Sequence, residues 1–236
     1  MLDFDFEPQR PDWSKQLAVF DLETTGLDLR ESRIVTACLA VIDSNGQQTK
    51  LHEWLVDPGI EIPAQAAAVH GITTEMAQEN GSDPAIAVGE LVELLSQYSK
   101  QMPLVAFNAP YDFTILQSEA LRYSVAPLVP EPVIDPLVLD RAMVKKRFGK
   151  RTLGVLCSDY GVELVDAHNS TADAIAAGRL AQRQAARFPQ LDVDAHELHR
   201  LQCIWSDEQS RDFAAWLKRQ NRPDFQAELG WPIKIS

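Results

Sequence analysis

The sequence predicts an α/β fold built on a mixed sheet and followed by a helical extension, and three observations lead there. The chain opens with three strand-like runs, one pair of them joined by a hairpin signal. Its middle then alternates helices with short strands. Beyond Phe188-Pro189 it turns helical and gains tryptophans. A β-meander followed by helix–strand alternation is the order expected of a mixed α/β sheet.

The first strand is "LAVFDLE" (Leu17 to Glu23). The second and third lie in "RIVTACLAVIDSNGQQTKLHEWLVDP", where Asn45-Gly46 separates two strand-like runs and predicts a tight hairpin. "SDPAIAVGELVELLSQYSK" predicts a helix with Asp83 as N-cap and Pro84 in its first position. "PLVAFN" is a fourth strand, and a helix follows over "APYDFTILQSEALRY", begun after Asn108. "VIDPLVLDRAMVKK" runs from a short strand into a helix at Asp135-Pro136. "RTLGVLCSDYG" is a short helix stopped by Gly161, and "STADAIAAGRLAQRQAARF" is an Ala-rich helix with Ser170 as its expected cap. Asp192 to Arg219 reads as helical, with Trp205 and Trp216, and passes into the tail "ELGWPIKIS".

With 236 residues the chain is long enough for one sizeable core. No apolar run approaches the ~18 residues that would span a bilayer, and the acidic, proline-broken start "MLDFDFEPQRPDW" has the character of neither a signal nor a transit peptide. Cys38, Cys157 and Cys203 are far apart and show no metal-ligand spacing, so a reducing cytoplasm is the expected compartment and no membrane partner is expected. The net charge of −12 argues against a generally basic nucleic-acid binder. One local exception is "KKRFGKR" (Lys145 to Arg151), where five basic residues surround a phenylalanine: a solvated surface run, or a track for phosphates.

Three acidic stretches carry the chemistry. In "AVFDLETTGLD", Asp21 and Glu23 are two residues apart in a strand, so both carboxylates project from one face, ~7 Å apart along the backbone at ~3.3 Å per residue. Like charges side by side on a buried sheet are costly unless a positive charge lies between them, and a divalent cation meets that need. In "LVAFNAPYDFTIL", Asn108 is expected to cap the helix and Asp112 to lie in its first turn, where a carboxylate complements the helix dipole. In "DAHNSTADAIAAG", Ser170-x-x-Asp173 is close to a capping box, and His168 stands just before the helix. Taken singly, each stretch has an ordinary structural explanation; their conjunction points to a site.

In order and spacing, Asp-x-Glu-Thr-x-Gly, Asn-x-x-x-Asp and His-x-x-x-x-Asp resemble the three exonuclease motifs of the DnaQ-like, DEDDh family of 3′→5′ exonucleases. That family includes the epsilon subunit of DNA polymerase III, ribonuclease T and oligoribonuclease. The resemblance covers roughly Lys15 to Arg187 and includes "AVHGIT" (Ala68 to Thr73), similar to the family's nucleotide-side loop. Phe107-Asn108 departs from the His-Asn of many members, and Phe107 is expected to pack. The resemblance implies a ribonuclease H-like fold, a five-stranded mixed sheet flanked by helices. It also implies a division into an N-terminal segment (1–14), an exonuclease domain (15–188) and a helical C-terminal extension (189–236).

It further implies two divalent cations, ~3.5–4 Å apart, clamping the scissile phosphate. Asp21 would bridge them, Glu23 and Asp173 would hold the one that carries the attacking water, and Asp112 would support the other. All-carboxylate ligation favours hard ions, so Mg²⁺ or Mn²⁺ is expected and zinc is not. His168 would be the general base, since an imidazole can accept a proton at neutral pH. Thr24, Thr25, Gly26 and Leu27 would receive the terminal nucleotide, with His70 and Asn108 nearby.

The substrate would be nucleic acid with a free 3′ end, single-stranded and with DNA favoured, and a DNA polymerase or another replication or repair protein is a candidate partner. Two alternatives stand beside this reading. One is an RNA-trimming enzyme of the ribonuclease T or oligoribonuclease type, because selection against a 2′-OH lies in contacts that motifs do not show. The other is an inactive nucleic-acid-binding module on the same fold, which would be expected to have lost one of the five catalytic positions.

Overall fold

The computed structural model describes residues 10–165, 168–222 and 225–234. Most of the acidic N-terminal segment lies outside them. Five strands, β1 (Leu17–Thr24), β2 (Ile34–Ile42), β3 (Gln48–Leu55), β4 (Leu104–Val105) and β5 (Val133–Ile134), form one sheet in the order β3-β2-β1-β4-β5. The first three make an antiparallel meander, while β4 lies parallel to β1 and β5 parallel to β4. The hairpin falls where Asn45-Gly46 predicts it. Gly46 takes the left-handed φ of 73°, and the Asp43 carboxylate accepts from the backbone N–H groups of Asn45 and Gln47 at 2.8 Å each.

Among the described residues, eight α-helices accompany the sheet: α1 (Ala64–His70), α2 (Thr74–Asn80), α3 (Pro84–Ser99), α4 (Pro110–Arg122), α5 (Pro136–Met143), α6 (Leu153–Tyr160), α7 (Ser170–Arg187) and α8 (Ala195–Arg219). Sequence reasoning missed α1 and α2, taking the stretch around Ala68 to Thr73 for a loop. The reason is physical. α1 starts at Pro63 without a side-chain cap and buries no residue, so it presents no apolar stripe to read. His70 is its last residue, and Gly71 ends it at a φ of 79°.

Alternation along β1 decides which face meets which helix. Phe20 and Leu22 enter a core with Leu91 and Leu95 of α3 and Phe113 and Leu116 of α4. Leu17 and Val19 point the other way, into a core with Ala174, Ala177 and Ala181 of α7. Asp21 and Glu23 share the parity of that second face. Small residues bring α7 close: a Cβ at Gly178 would lie 2.4 Å from Val19 Cγ1 and 2.7 Å from Ile42 Cδ1.

The C-terminal extension closes the free edge of the sheet. His199 Nδ1 of α8 accepts from Val133 N at 3.0 Å, Gln202 Oε1 from Asp135 N at 2.7 Å, and Gln202 Nε2 donates to the Val133 carbonyl at 3.0 Å. Side chains of α8 therefore satisfy backbone groups that another strand would otherwise take. The tail returns to the same place: Trp231 is buried, and Lys234 N donates to Thr114 Oγ1 of α4 at 2.9 Å.

Candidate active site

Asp21 and Glu23 stand near the carboxyl end of β1, opposite Cys38 and Thr36 of β2. Asp112 comes from the first turn of α4 and is 2% exposed; its Oδ1 accepts from Leu22 N at 3.1 Å, which ties α4 to β1 between the two acidic positions. Asp173 lies in the first turn of α7, where its Oδ2 accepts from His168 N at 3.2 Å. Glu23, His168 and Asp173 each bring one potential ligand atom within 4.8 Å of the others.

The helix starts that aim these groups differ from the expected ones. Asn108 does not cap α4. It adopts a left-handed φ of 61°, Ala109 occupies the N-cap, and the carboxylate of Asp135 accepts from Asn108 N and Ala109 N at 3.0 Å each. Asp135 also accepts from Leu137 N at 2.9 Å and from the Trp231 indole at 3.4 Å, so one buried carboxylate holds the turn into α4, the start of α5 and the C-terminal tail. Ser170 likewise is not the cap of α7. Asn169 is, accepting from Thr171 N at 3.1 Å and Ala172 N at 3.2 Å, and Ser170 is the first helical residue. Asp173 is thereby not required for a capping box. His168 sits just upstream with a left-handed φ of 72° and is exposed.

Electrostatics connect the carboxylates. Burial raises Asp21 well above the usual carboxylate range, and the charges of Asp112, Asp173 and Glu23 raise it further. Glu23 is pushed up to about 7, by burial first and then by Asp173. Asp112 is also raised by burial, against the pull of the Leu22 N–H bond, with Asp135 and Glu23 adding to the rise. Among the described residues, no salt bridge reaches Asp21, Glu23 or Asp112. The oxygens of these three carboxylates, withdrawn from water and repelling one another, suit a hard divalent metal ion.

Around this cluster, Thr24 and Thr25 are buried, whereas Leu27 is 86% exposed. Thr24 Oγ1, Tyr111 Oη and the Gly26 carbonyl form a triangle with edges of 2.5, 2.7 and 2.8 Å, which braces the Thr-Thr-Gly turn against α4. Thr25 Oγ1 accepts from Arg33 N at 3.0 Å. Glu23, His70 and His168 line one cavity of about 220 Å³. Tyr111 and Asp135 are the supporting residues that sequence reasoning did not single out. Asp135 showed only as a helix start, and Tyr111 only as the neighbour of Asp112. Phe107 packs as expected, against the cores beside α6 and α7. "KKRFGKR" is not a uniform track: Arg147 Nη2 and Arg151 Nε bind the buried Asp140 at 2.7 and 2.8 Å, and Arg147 also pairs with Asp159.

A family model described as "Exonuclease" (RNase_T) matches residues 18–181. A DNA polymerase III subunit epsilon-like protein of Rhodobacter capsulatus is 32% identical over 162 residues, 67% of this chain and 22% of that one. The DNA polymerase III PolC-type protein of Lacticaseibacillus paracasei is 28% identical over 178 residues, 74% of this chain and 12% of that one. The chain thus spans 12–22% of the length of these relatives. Among solved structures, the zinc-bound E. coli ExoI–ssDNA complex superposes with a TM-score of 0.66 at 19% identity, covering 75% of this chain and 42% of that one. E. coli exonuclease I with a dT13 oligonucleotide gives 0.60 at 19% identity, over 71% and 40%. At such identity the likeness establishes the fold.

Proposed function

The chain belongs to the exonuclease family whose model spans residues 18–181, and we propose that it removes nucleoside 5′-monophosphates one at a time from the 3′ end of single-stranded nucleic acid, DNA in preference to RNA. The observation that carries this reading is the convergence of Asp21, Glu23, Asp112 and Asp173: the charges of the other three all act on Asp21, Asp112 binds β1 between Asp21 and Glu23, and His168 lies beside Glu23 and Asp173. The four carboxylates would hold two divalent cations, Mg²⁺ or Mn²⁺. When bound, such cations supply positive charge to the phosphodiester oxygens and acidify a coordinated water.

The chain's own groups supply the rest. The His168 imidazole, exposed on a left-handed turn next to Glu23 and Asp173, takes the proton of the attacking water. Leu27, projecting from the turn after β1, wedges against the terminal base, and the backbone of the turn from Thr24 to Gly26 meets the terminal sugar. Tyr111 keeps that turn in place. His70 borders the same cavity as Glu23, and Asn108 stands just before α4, the helix that carries Asp112.

The preference for DNA, and a replication or repair protein as partner, draw on the polymerase III names of the relatives. We read residues 15–188 as the exonuclease domain and 189–236 as an extension docked on it, and the cytoplasm as the compartment. No helix among the described residues is long and apolar enough to cross a membrane. The test is incubation with 5′-labelled single-stranded DNA and matched RNA in Mg²⁺, Mn²⁺ or EDTA, alongside Asp21→Ala. A metal-dependent ladder shrinking from the 3′ end, absent in the variant, is expected. No degradation of either strand by folded protein overturns the reading.

A further inference from the structure

Two cavities share residues, and one of them reaches Asn108 and Pro110 at the start of α4, the helix that carries Asp112. One, of about 200 Å³, is lined by Asn108, Asp135, Arg141, Ser210, Phe213 and Lys234, among others. The second, of about 870 Å³, also contains Arg141, Ser210 and Phe213 and extends to Lys145 and Trp205. Sharing Arg141, Ser210 and Phe213, the two cavities are taken as one groove between α5 with its following loop and α8. Topology joins this groove to the site. β1, β4 and β5 run parallel, so the ends that lead to Glu23, Asn108 and Asp135 lie on one side of the sheet. Neighbouring strands are about 4.8 Å apart, so the groove begins within about 10 Å laterally of the acidic strand. Ligands of α/β sheets characteristically lie outside such carboxyl ends.

From this placement we infer that the groove holds the single strand upstream of its 3′ terminus, with Phe213 as a stacking platform and Arg141 and Lys145 as phosphate contacts. The inference rests on the exonuclease reading for the direction of the strand. Phe213 is 50% exposed, unusual for so large an aromatic, and already stacks on Trp216 at 5.9 Å between ring centroids and 16° between planes. Arg141 lines both cavities and makes no salt bridge among the described residues, unlike Arg147 and Arg151 close by. Phe148, on the loop opposite α8, is 98% exposed. Exposed rings interleaved with unpaired cations are the make-up of a sequence-tolerant single-strand site. Glu208 and Asp212 also line the outer cavity. The groove therefore meets phosphates at few points and grips mainly through bases.

The experiment is fluorescence anisotropy of 5′-fluorescein dT3 and dT12 with the full chain in Ca²⁺, across a range of salt concentrations, for wild type, Phe213→Leu, Phe213→Trp and Arg141→Gln. The wild type should bind dT12 about tenfold or more tighter than dT3, an advantage that Phe213→Leu loses and Phe213→Trp keeps. Arg141→Gln should reduce the slope of log K against log salt by about 0.7, one phosphate contact on a single strand. Equal affinity for the two lengths, or wild-type dT12 binding by both Phe213→Leu and Arg141→Gln, overturns the groove and makes that face a candidate for a protein partner. Hydrolysis of the same oligonucleotides in Mg²⁺ is read separately. Groove-dependent binding without hydrolysis would defeat the exonuclease reading and leave the groove standing.

Discussion

Asp140 and Asp21 are both carboxylates withdrawn from water, and the protein treats them in opposite ways. Asp140, fully buried on α5, accepts from Arg147 Nε and Nη2 at 2.9 and 2.7 Å, from Arg151 Nε at 2.8 Å and from the Tyr160 hydroxyl at 2.8 Å. Asp21 faces Glu23, Asp112 and Asp173, and each of these pushes its proton affinity upward. Where a buried charge serves only the fold, the chain supplies its own cations. At the candidate site it gathers anions, and the proposed function assigns the balancing positive charge to added cations. The contrast also explains why the basic run from Lys145 to Arg151 cannot be read as one uniform surface, since two of its arginines are spent on Asp140.

The largest expected effect tests the acidic half of this contrast. Asp21→Asn should lower the rate of 3′-end hydrolysis by at least about 10²–10³-fold, the scale of losing one strong electrostatic contributor to a transition state. The same change should raise the melting temperature of the protein in EDTA, because it removes a buried like charge. A variant that lost activity and also melted lower in EDTA would show that Asp21 is structurally paired after all. Asp140→Ala should act in the reverse sense. It takes from Arg147 and Arg151, whose side chains are 13% and 20% exposed, the carboxylate they share, leaving Arg147 with Asp159 and Arg151 with the Val144 carbonyl, and should cost about 3–5 kcal/mol in urea unfolding. A cost below about 1 kcal/mol, the range of surface pairs, would remove the distinction between the two clusters.

A smaller effect concerns how the acidic cluster is positioned by the packing of its helix. Asp173 reaches the site because α7 rides close on β1 and β2, so close at Gly178 that a Cβ there would lie 2.4 Å from Val19 Cγ1. Gly178→Ala must push the helix off Val19 or displace the Ile42 side chain, at about 1–3 kcal/mol for an overpacked core. It should also reduce turnover of the protein that remains folded, because Asp173 moves with the helix. Reduced stability with full turnover would mean that the register of α7 does not set the site.

How much of this could be read beforehand follows from the range of each interaction. Asp21 and Glu23 were legible because strand parity is local, and the Asn45-Gly46 hairpin and the Asp83 and Asp135 helix starts because caps and turns are local too. The same local logic misplaced two caps. At Asn108 the backbone N–H groups go to Asp135, 27 residues away, which no cap rule anticipates. At Ser170 the choice was wrong by one residue, since Asn169 is an equally good cap and holds the position. Gln202, His199 and Trp231 close the edge at β5 and the Asp135 knot over separations of 66 to 96 residues. From sequence alone, α8 and its tail could be seen as an extension packed on the core, but not which edge of the sheet they close.

The smallest expected effect is also the one that ties the carboxylates to their missing charge. Glu23 holds its proton up to about 7 in the folded chain, against 4.5 as its ordinary value. Between those two pH values the folded state binds more protons than the unfolded one, so stability falls as pH rises from about 4.5 to about 7 and stays low above that. Glu23 keeps partial contact with solvent, which reduces the loss to on the order of 1–2 kcal/mol. Metal-free protein should therefore melt higher at pH 5 than at pH 8, the reverse of what paired carboxylates alone would give. Millimolar Mg²⁺ or Mn²⁺ should raise the melting temperature more at pH 8 than at pH 5, because ligands must be deprotonated to bind and the bound cation stabilises the folded state by mass action. Glu23→Gln should flatten the metal-free profile. A metal-free profile that rises from pH 5 to pH 8 in the wild type would mean that the cluster finds its counter-charge within the chain, as Asp140 does.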